Sequence, residues 1–344
     1  MKTLKLIWAL MLVRMPSGLA RYFWDAALPV RMGRRADPKA ASVAQLVGLV
    51  RDPNQPPSVA ESRVQMAGFV ARFDRPEPQV QRRDVTLPGA AGERPARIYR
   101  PLDAAEGPLP TLLYFHGGGW VQGSLDTHDA LCAKLARRAG MQVLSYSYRL
   151  APEHPFPAAP DDVMMAYQAL YAQAETLGVD RHKIAVGGDS AGANLTASLL
   201  WSLSQDKRRM PAAQLLFYPA VDGRLTTPSI KAFADHPLLS LARIEGYLDL
   251  YLGPDVDRLQ PRVSPFLAPD LSGQPPAFVL IAGHDPLWDE GEAYAERLEE
   301  AGSAVTLARF EGQVHGFLNL TKVIPEADVA IDQAAAWLRQ VLQG

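Results

Sequence analysis

Residues 184–192, with the sequence IAVGGDSAG, form the most informative segment of this 344-residue chain. They join a short apolar run to the pattern G-x-S-x-G, and the residues from Ala191 onward are typical of a helix. Glycines on both sides of Ser190 allow a sharp turn from strand to helix, which strains the serine backbone and lifts its hydroxyl above a sheet. The alternative is a turn of small residues that contains a serine by chance. The strand before the turn and the helix after it favour a nucleophilic serine.

Apolar runs and helical segments alternate along most of the chain around this turn. Eight strands are predicted, at about 85–87, 96–99, 111–115, 142–146, 184–187, 213–218, 277–281 and 305–308. Helices are predicted at about 61–72, 129–139, 162–174, from 191 onward, 289–301 and 327–342. Strands that alternate with helices predict a mainly parallel sheet covered by helices on both faces. The predicted fold class is therefore α/β.

Two regions do not follow this alternation. Residues 1–80 are predicted to be a helical N-terminal segment, and residues 81–344 the α/β domain. Inside that domain, residues 223–270 hold a helix-like piece at Leu241–Tyr251 between Pro-rich loops. We interpret 223–270 as an insertion over the carboxyl ends of the strands, because open α/β sheets bind their ligands there.

A serine hydroxyl needs a base to act as a nucleophile, and an acid to orient that base. His315 follows the last predicted strand, and Asp285 follows the strand before it. Parallel strands bring their carboxyl ends to one edge, so both side chains are expected beside Ser190, in the order serine, acid, histidine. The neighbours Asp289 and Glu290 are predicted to be structural, in the first turn of a helix where their charge favours the helix dipole.

The segment His116–Trp120, with the sequence HGGGW, ends the third predicted strand. Consecutive glycines let backbone N–H groups point to one position, as an oxyanion hole requires. We assign the N–H groups of Gly118, Gly119 and Ala191 to this hole, the last because it follows the nucleophile. The alternative, a phosphate-binding loop, lacks the Lys-Ser/Thr or G-x-G-x-x-G pattern that accompanies such loops. His116 is expected to order the loop through hydrogen bonds.

The composition excludes several classes of protein. Hydrophobic residues make up 48% of the chain and charged residues 21%, which is typical of a folded globular protein. The net charge of −2 gives no basic footprint for nucleic acid. Cys132 is the only cysteine, so an intrachain disulfide and a cysteine metal cluster are excluded. A chain of this length can bury enough apolar surface to fold without either.

The N-terminus leaves three interpretations open. Lys2 and Lys5 precede an apolar run at Leu6–Val13 that is too short to span a bilayer. This order resembles a signal peptide, with small residues at 17–20 for a cleavage site, although Arg14 interrupts the approach. The favoured interpretation is a packing helix, because apolar residues continue the run; export and a peripheral membrane or partner contact are the alternatives. The continuing residues are Met15, Leu19, Tyr22, Phe23 and Trp24.

Together these motifs resemble the hormone-sensitive-lipase-like esterases, the bacterial family IV of lipolytic enzymes, within the α/β-hydrolase superfamily. The aspartate at 189 resembles the GDSAG branch of that family. The resemblance implies a helical cap made from the N-terminal segment and the insertion, although the N-terminal part is longer than the family pattern. It also implies that Arg149 and Glu153 are buried partners that brace the catalytic loops. The matching segments are 116–120, 148–159, 188–192, 285–287 with 289–290, and 315–317.

The motifs and the resemblance predict a serine carboxylesterase for short- to medium-chain esters, working through an acyl-enzyme without a metal or cofactor. Trp120, Leu238, Leu239 and Phe317 are expected to line the substrate pocket. The alternatives are hydrolysis of amides, carbamates or other acyl substrates, a non-catalytic receptor for a small ligand, and a membrane-associated lipase. The expected partner is a small ester, with no nucleic acid and no transmembrane span. A homodimer is expected by analogy with the family, and a cytoplasmic location is favoured.

Overall fold

The computed structural model describes residues 2–16, 18–19, 22, 28–51 and 56–343. Its strands are β1 (Val30–Arg31), β2 (Arg34–Arg35), β3 (Val80–Gly89), β4 (Gly92–Pro101), β5 (Leu109–Phe115), β6 (Gln142–Tyr146), β7 (Val179–Asp189), β8 (Ala213–Phe217), β9 (Ala277–His284) and β10 (Val305–Val314). Its α-helices are α1 (Lys2–Arg14), α2 (Pro38–Val50), α3 (Val59–Phe73), α4 (Asp129–Ala139), α5 (Ala158–Ala172), α6 (Ala174–Leu177), α7 (Ala191–Gln205), α8 (Pro228–Ala232), α9 (Leu241–Leu252), α10 (Trp288–Glu300) and α11 (Glu326–Gln343). Short 3₁₀ helices lie at Pro265–Leu267 and Phe317–Asn319.

Strands β3 to β10 form one sheet in the order β10-β9-β8-β7-β5-β6-β4-β3. Strand β4 runs antiparallel to both of its neighbours, and all other neighbouring pairs are parallel. The predicted eight-stranded, mainly parallel sheet is confirmed. The edge strands β3 and β10 are much longer than predicted, because exposed polar residues alternate with apolar ones along them and interrupt the apolar run.

Helices cover both faces of this sheet. Leu112 of β5 packs on one face with side chains of α4 and α11, whereas the next residue, Leu113, packs on the other face with α5 and α7. Every side chain of β6 and β8 is buried. Burial on both faces explains why the central strands are visible in the sequence as continuous apolar runs.

The described part of the N-terminal segment contains helices α1, α2 and α3, and α1 packs against α2. The buried Lys39 donates hydrogen bonds from Nζ to the carbonyl oxygens of Leu12 (3.2 Å), Val13 (2.6 Å) and Met15. These carbonyls lie at the end of α1 and have no partner within the helix, so the lysine caps it. None of the described helices is long and apolar enough to cross a bilayer.

The predicted buried face of the N-terminal helix extends less far than expected. Ala9, Leu12 and Val13 of α1 are buried, but Leu19 is 54% exposed and Tyr22 is 81% exposed. These two residues follow the end of α1, so they do not continue its packed face. Part of the small-residue segment considered as a cleavage site, as well as Phe23 and Trp24, lies outside the described residues.

The two residues implied to brace the loops behave differently from each other. Arg149 forms a double hydrogen bond with the buried carboxylate of Asp162, at 2.8 Å for each bond, as expected. Glu153 is not buried: its side chain is 53% exposed and pairs at 2.7 Å with Arg63. Arg63 belongs to α3, outside the segments that carry the resemblance, so those segments did not show which residue pairs with Glu153.

Candidate active site

Ser190 lies at the junction of β7 and α7, in a strained backbone conformation with φ 53° and ψ −117°. Its N–H donates to the carbonyl oxygen of Phe217 at 2.9 Å, which fixes the turn to strand β8. A β-carbon at Gly192 would overlap the carbonyl oxygen of Phe115, so this position requires glycine. The turn holds the serine side chain at the carboxyl edge of the sheet, as its motif predicts.

His315 and Asp285 lie beside this serine. His315 Nε2 is 3.0 Å from Ser190 Oγ, and His315 Nδ1 is 2.6 Å from Asp285 Oδ2. The carboxylate is fully buried, and its Oδ1 accepts a hydrogen bond from the N–H of Leu287 at 2.9 Å. The ring of Tyr218 packs against the imidazole with centroids 4.8 Å apart. This geometry can draw a proton from the hydroxyl and return it to a leaving group.

The glycine loop, residues 116–120, borders the same cavity as this imidazole and has the backbone conformation that an anion site needs. Gly118 and Gly119 adopt φ values of 126° and 61°, and Ala191 is the first residue of α7. Within the described part of the chain, none of these three amide groups donates a hydrogen bond to a backbone carbonyl. A helix N-terminus and unpaired amides favour a developing negative charge. The structure therefore places Gly118, Gly119, Ser190, Ala191 and His315 on one cavity, and Asp285 is buried beside the histidine.

Comparison with known proteins identifies the family. The sequence profile of a family described as the alpha/beta hydrolase fold matches residues 112–319. The chain belongs to this alpha/beta hydrolase family. The match covers more than half of the hydrolase, and it contains strands β6 to β10, all of the glycine loop and the positions of Ser190, Asp285 and His315.

Relatives of this hydrolase are named for ester hydrolysis. It is 45% identical over 269 residues to the carboxylic ester hydrolase LipN of Mycobacterium tuberculosis, covering 76% of this chain and 71% of that protein. It is 42% identical over 250 residues to the ethyl acetate hydrolase of Pseudomonas putida, covering 72% and 79%. A solved ester hydrolase from the metagenome of Lake Arreo, complexed with a derivative of bipyridine phosphonate, superposes with a TM-score of 0.86 at 39% identity, covering 90% of this chain and 100% of that one. The resemblance stated from the sequence is confirmed.

A second carboxylate of the hydrolase, to which the sequence analysis gave no structural role, holds the glycine loop. Asp189 Oδ1 accepts hydrogen bonds of 2.8 Å from both the Tyr114 hydroxyl and the Gly117 N–H. His128 Nε2 lies 3.2–3.3 Å from its two oxygens. Burial alone would raise the pKa of Asp189, but His128 and these hydrogen bonds hold it below its ordinary value. The available signal was the aspartate in G-D-S-A-G, next to the nucleophile.

His116 orders the same loop, as expected. Its Nδ1 lies 2.9 Å from the carbonyl oxygen of Gly117, and its ring stacks on Tyr148 at 4.5 Å. Burial and the nearby His128 lower the pKa of His116 to about 4. The ring is therefore neutral at neutral pH, which suits a hydrogen-bonding role better than proton transfer.

The first turn of α10 connects the hydrolase's Asp285 loop to the chain after β8. Asp289 Oδ2 accepts from the N–H of Ser229 at 2.7 Å. Glu290 Oε1 accepts from the N–H groups of Val221 (2.7 Å) and Asp222 (3.2 Å), and burial raises the pKa of Glu290 well above its ordinary value. Both residues are structural in these contacts, but through specific backbone amides rather than through the helix dipole alone.

A largely apolar cavity of about 590 Å³ opens above Ser190. Trp120, Leu238 and Leu239 line it, as predicted, and Trp120 stacks on Tyr251 with centroids 4.5 Å apart. Phe317 does not line it: this side chain is fully buried and packs against Phe310 at 5.5 Å. The 3₁₀ turn that follows His315 directs the phenylalanine into the core, away from the cavity. Proximity to the histidine in the sequence was therefore misleading.

Much of the cavity wall comes from residues that the sequence analysis did not assign. The N-terminal helices α2 and α3 contribute many of its apolar residues, and three arginines, Arg51, Arg72 and Arg243, also line it. A helix was predicted at about 61–72, but the sequence could not show what its side chains contact. The unassigned lining residues include Leu46, Val47, Met66, Phe69 and Val70, together with Arg51 and Arg243.

Proposed function

We propose that this chain is a serine carboxylesterase that hydrolyses esters with short to medium acyl chains through an acyl-enzyme. The observation that carries the proposal is the chain of hydrogen bonds from Asp285 through His315 to Ser190, at the base of an apolar cavity. Relatives at 42–45% identity that are named for ester hydrolysis support the reaction class.

The mechanism follows from the roles that this geometry allows. As Ser190 Oγ attacks the ester carbonyl, His315 Nε2 takes its proton, and Asp285 stabilises the imidazolium that forms. The tetrahedral oxyanion accepts hydrogen bonds from Gly118, Gly119 and Ala191. His315 then protonates the departing alcohol oxygen. A water molecule, deprotonated by the same histidine, attacks the acyl-enzyme and releases the carboxylic acid.

Residues 1–80 and 223–270 serve as the cap over this site in our proposal. Side chains from both segments line the cavity, with α2 and α3 on one side and α9 on the other. Arg51 at the end of α2 also donates to the carbonyl oxygen of Pro237 at 2.9 Å, which joins the two segments. A cavity of about 590 Å³ lies within the range of small-molecule sites and favours short to medium acyl chains.

The test is hydrolysis of p-nitrophenyl esters from acetyl to palmitoyl by the wild type and by Ser190→Ala. We expect the highest kcat/KM on short to medium chains and a loss of at least 10⁴-fold in kcat for the variant. Ser272→Ala, at an exposed serine outside the cavity, is the matched control and should keep full activity. A folded wild type that hydrolyses no ester would overturn the proposal and direct attention to amides, carbamates or ligand binding.

Location and assembly remain predictions from the sequence. A homodimer, a cytoplasmic location and the alternatives of export or membrane contact are not decided by the site. Ile7 and Met11 of α1 are each about half exposed, and these apolar side chains keep the peripheral contact under consideration. Fractionation of cells that express the full chain, together with the mass of the purified protein in solution, would test these predictions.

A further inference from the structure

The cavity above Ser190 contains cations that have no carboxylate partner among the described residues. Arg51 and Arg243 line it, and neither forms an ion pair there. The acidic residues on the cavity wall are engaged elsewhere. Asp222 pairs with Arg224 at 2.7 Å, and Glu290 binds backbone N–H groups. Asp189, the third acidic residue on the wall, is held by the glycine loop and His128. The surrounding wall is mainly apolar, so little on the protein balances the two positive charges.

Arg243 is held close to the proposed oxyanion hole. Its Nε donates to the Tyr247 hydroxyl at 2.7 Å, and the side-chain amide of Gln122 donates to the same hydroxyl. The Tyr247 ring lies directly against Gly119, where a β-carbon would overlap it. The side chain of Tyr247 therefore lies between the guanidinium of Arg243 and the glycine loop. Its two terminal amino groups have no acceptor among the described residues, and they form the planar fork that matches a carboxylate.

Arg51 adds a second charge to the same region. One terminal nitrogen of its guanidinium, Nη1, donates to the carbonyl oxygens of Pro237 (2.9 Å) and Leu238 (3.4 Å). Burial and the charge of Arg243 lower the pKa of Arg51 to about 10, so it remains protonated at neutral pH. Two like charges in a half-buried apolar cavity oppose each other, and an anion placed between them would relieve both the repulsion and the loss of hydration.

We propose that this cavity prefers esters that carry a carboxylate as a second group, and that Arg243, assisted by Arg51, binds that carboxylate while the ester carbonyl lies at Ser190. This inference rests on the proposed esterase function and specifies its substrate class. Hydrolysis of such an ester breaks the acyl–oxygen bond with one water molecule and gives a hydroxyl group, a second carboxylate and a proton that passes to solvent. The apolar wall accommodates the methylenes between the two groups.

Two pairs of substrates with nearly equal shape test the preference. Monomethyl adipate and methyl hexanoate place the carboxylate, or a methyl group, at the end of the acyl chain. The γ-acetoxybutyrate anion and butyl acetate place the carboxylate, or a methyl group, at the end of the alcohol chain. Comparison of the two pairs identifies whether the acyl or the alcohol part of the ester reaches the arginines. We expect the wild type to show a higher kcat/KM for the anion in one pair, and this advantage to shrink at high salt.

The variant Arg243→Gln should lower the anion-to-neutral ratio of kcat/KM by about 10- to 100-fold, which is the usual effect of losing one charge-assisted hydrogen-bonded pair. Arg243→Lys keeps the charge and should retain part of the preference even if the glutamine variant folds poorly. Arg208→Gln, at an exposed arginine paired with Asp206 and absent from the cavity lining, is the matched control. A wild type that favours the neutral ester in both pairs, or an unchanged ratio in folded Arg243→Gln, would overturn the inference.

Binding to an inactive protein separates this inference from the proposed function. Calorimetry of Ser190→Ala with monomethyl adipate and with the γ-acetoxybutyrate anion, each compared with Ser190→Ala/Arg243→Gln, measures recognition without turnover for both parts of the ester. Tighter binding by the single variant supports the arginine site even if no ester is hydrolysed. Equal affinity overturns the site and leaves the hydrolysis of neutral esters, which depends on Ser190, as a separate result.

Discussion

The two histidine–aspartate pairs of this protein are chemically alike but differ in their surroundings. His315 and Asp285 lie 2.6 Å apart, and His128 and Asp189 lie 3.2–3.3 Å apart. Both carboxylates are buried, and both accept a backbone N–H in addition to the imidazole. Burial of the carboxylate and its bond to a backbone N–H therefore do not distinguish the two pairs, although the His315–Asp285 contact is the shorter one.

The difference lies in the second nitrogen of each imidazole. His315 Nε2 faces the Ser190 hydroxyl in the cavity, and its side chain is 13% exposed. His128 Nδ1 faces the Thr127 hydroxyl at 2.9 Å, and its side chain is fully buried. A histidine–aspartate pair can therefore transfer protons to a substrate only where the far nitrogen reaches a group that the substrate can meet.

The largest expected effect is a loss of hydrolysis rate on substitution of Asp285, which distinguishes this carboxylate from Asp189. Asp285→Asn should lower kcat for ester hydrolysis by about 10⁴-fold, because an amide favours the wrong imidazole tautomer and no longer stabilises the imidazolium. Steady-state kinetics on a short-chain ester measure this loss. Asp289→Asn, four residues away, is the matched control, and we expect its rate to stay within a few-fold of the wild type. A mild effect of Asp285→Asn would remove the distinction between the two pairs.

The corresponding change in the second pair should act mainly on stability. Asp189→Asn places an amide N–H₂ group opposite His128 and weakens the bonds that hold Gly117, so we expect a loss of about 1–3 kcal/mol in the free energy of unfolding. Because the glycine loop would be held less firmly, kcat should also fall by about 10- to 100-fold. This loss is smaller than the loss expected on removal of a hydrogen-bond donor of the oxyanion hole. Urea unfolding and kinetics on the same preparations check both values. A loss of activity as large as that of Asp285→Asn would contradict the structural assignment.

The smallest effect on rate is expected at Thr127, whose hydroxyl lies beside the second ring nitrogen of His128. Thr127→Val removes the hydroxyl beside His128 together with its bond to the Ser124 N–H, and should cost about 1–2 kcal/mol of stability. We expect kcat to change by less than about threefold, since the threonine does not face the cavity. The same assay in which Ser190→Ala abolishes activity measures this difference. A substantial loss of rate in Thr127→Val would show that the second pair also takes part in catalysis.

Local patterns in the sequence were sufficient to predict the sheet and the positions of Ser190, Asp285 and His315. Central strands that are buried on both faces are continuous apolar runs, and Ser190 and Asp285 follow two such runs. His315 follows the edge strand β10, of which only a short apolar part was visible in the sequence. The parallel order of the strands then brings their ends to one edge. This inference requires no knowledge of packing angles, and for that reason the predicted positions agree with the structure.

The remaining features depend on contacts between segments that are distant in the chain. Asp189 was given no structural role because its partners, Tyr114 and His128, become adjacent only in the folded protein. The N-terminal wall of the cavity was not assigned, because an amphipathic helix pattern identifies an apolar face without its partner. Phe317 was misplaced since the direction of a side chain after a short 3₁₀ turn depends on the core beneath it.

The order of the strands also has a consequence for synthesis of the chain. Ser190 and His315 are 125 residues apart, and the histidine follows the last strand of the sheet. At a translation rate of about 5–20 residues per second, the ribosome adds the histidine ~6–25 s after the serine. A nascent or prematurely terminated chain therefore carries the nucleophile without its base. On the proposed mechanism, partly made molecules hydrolyse nothing in the cell, and activity arises only once the last strand has joined the sheet.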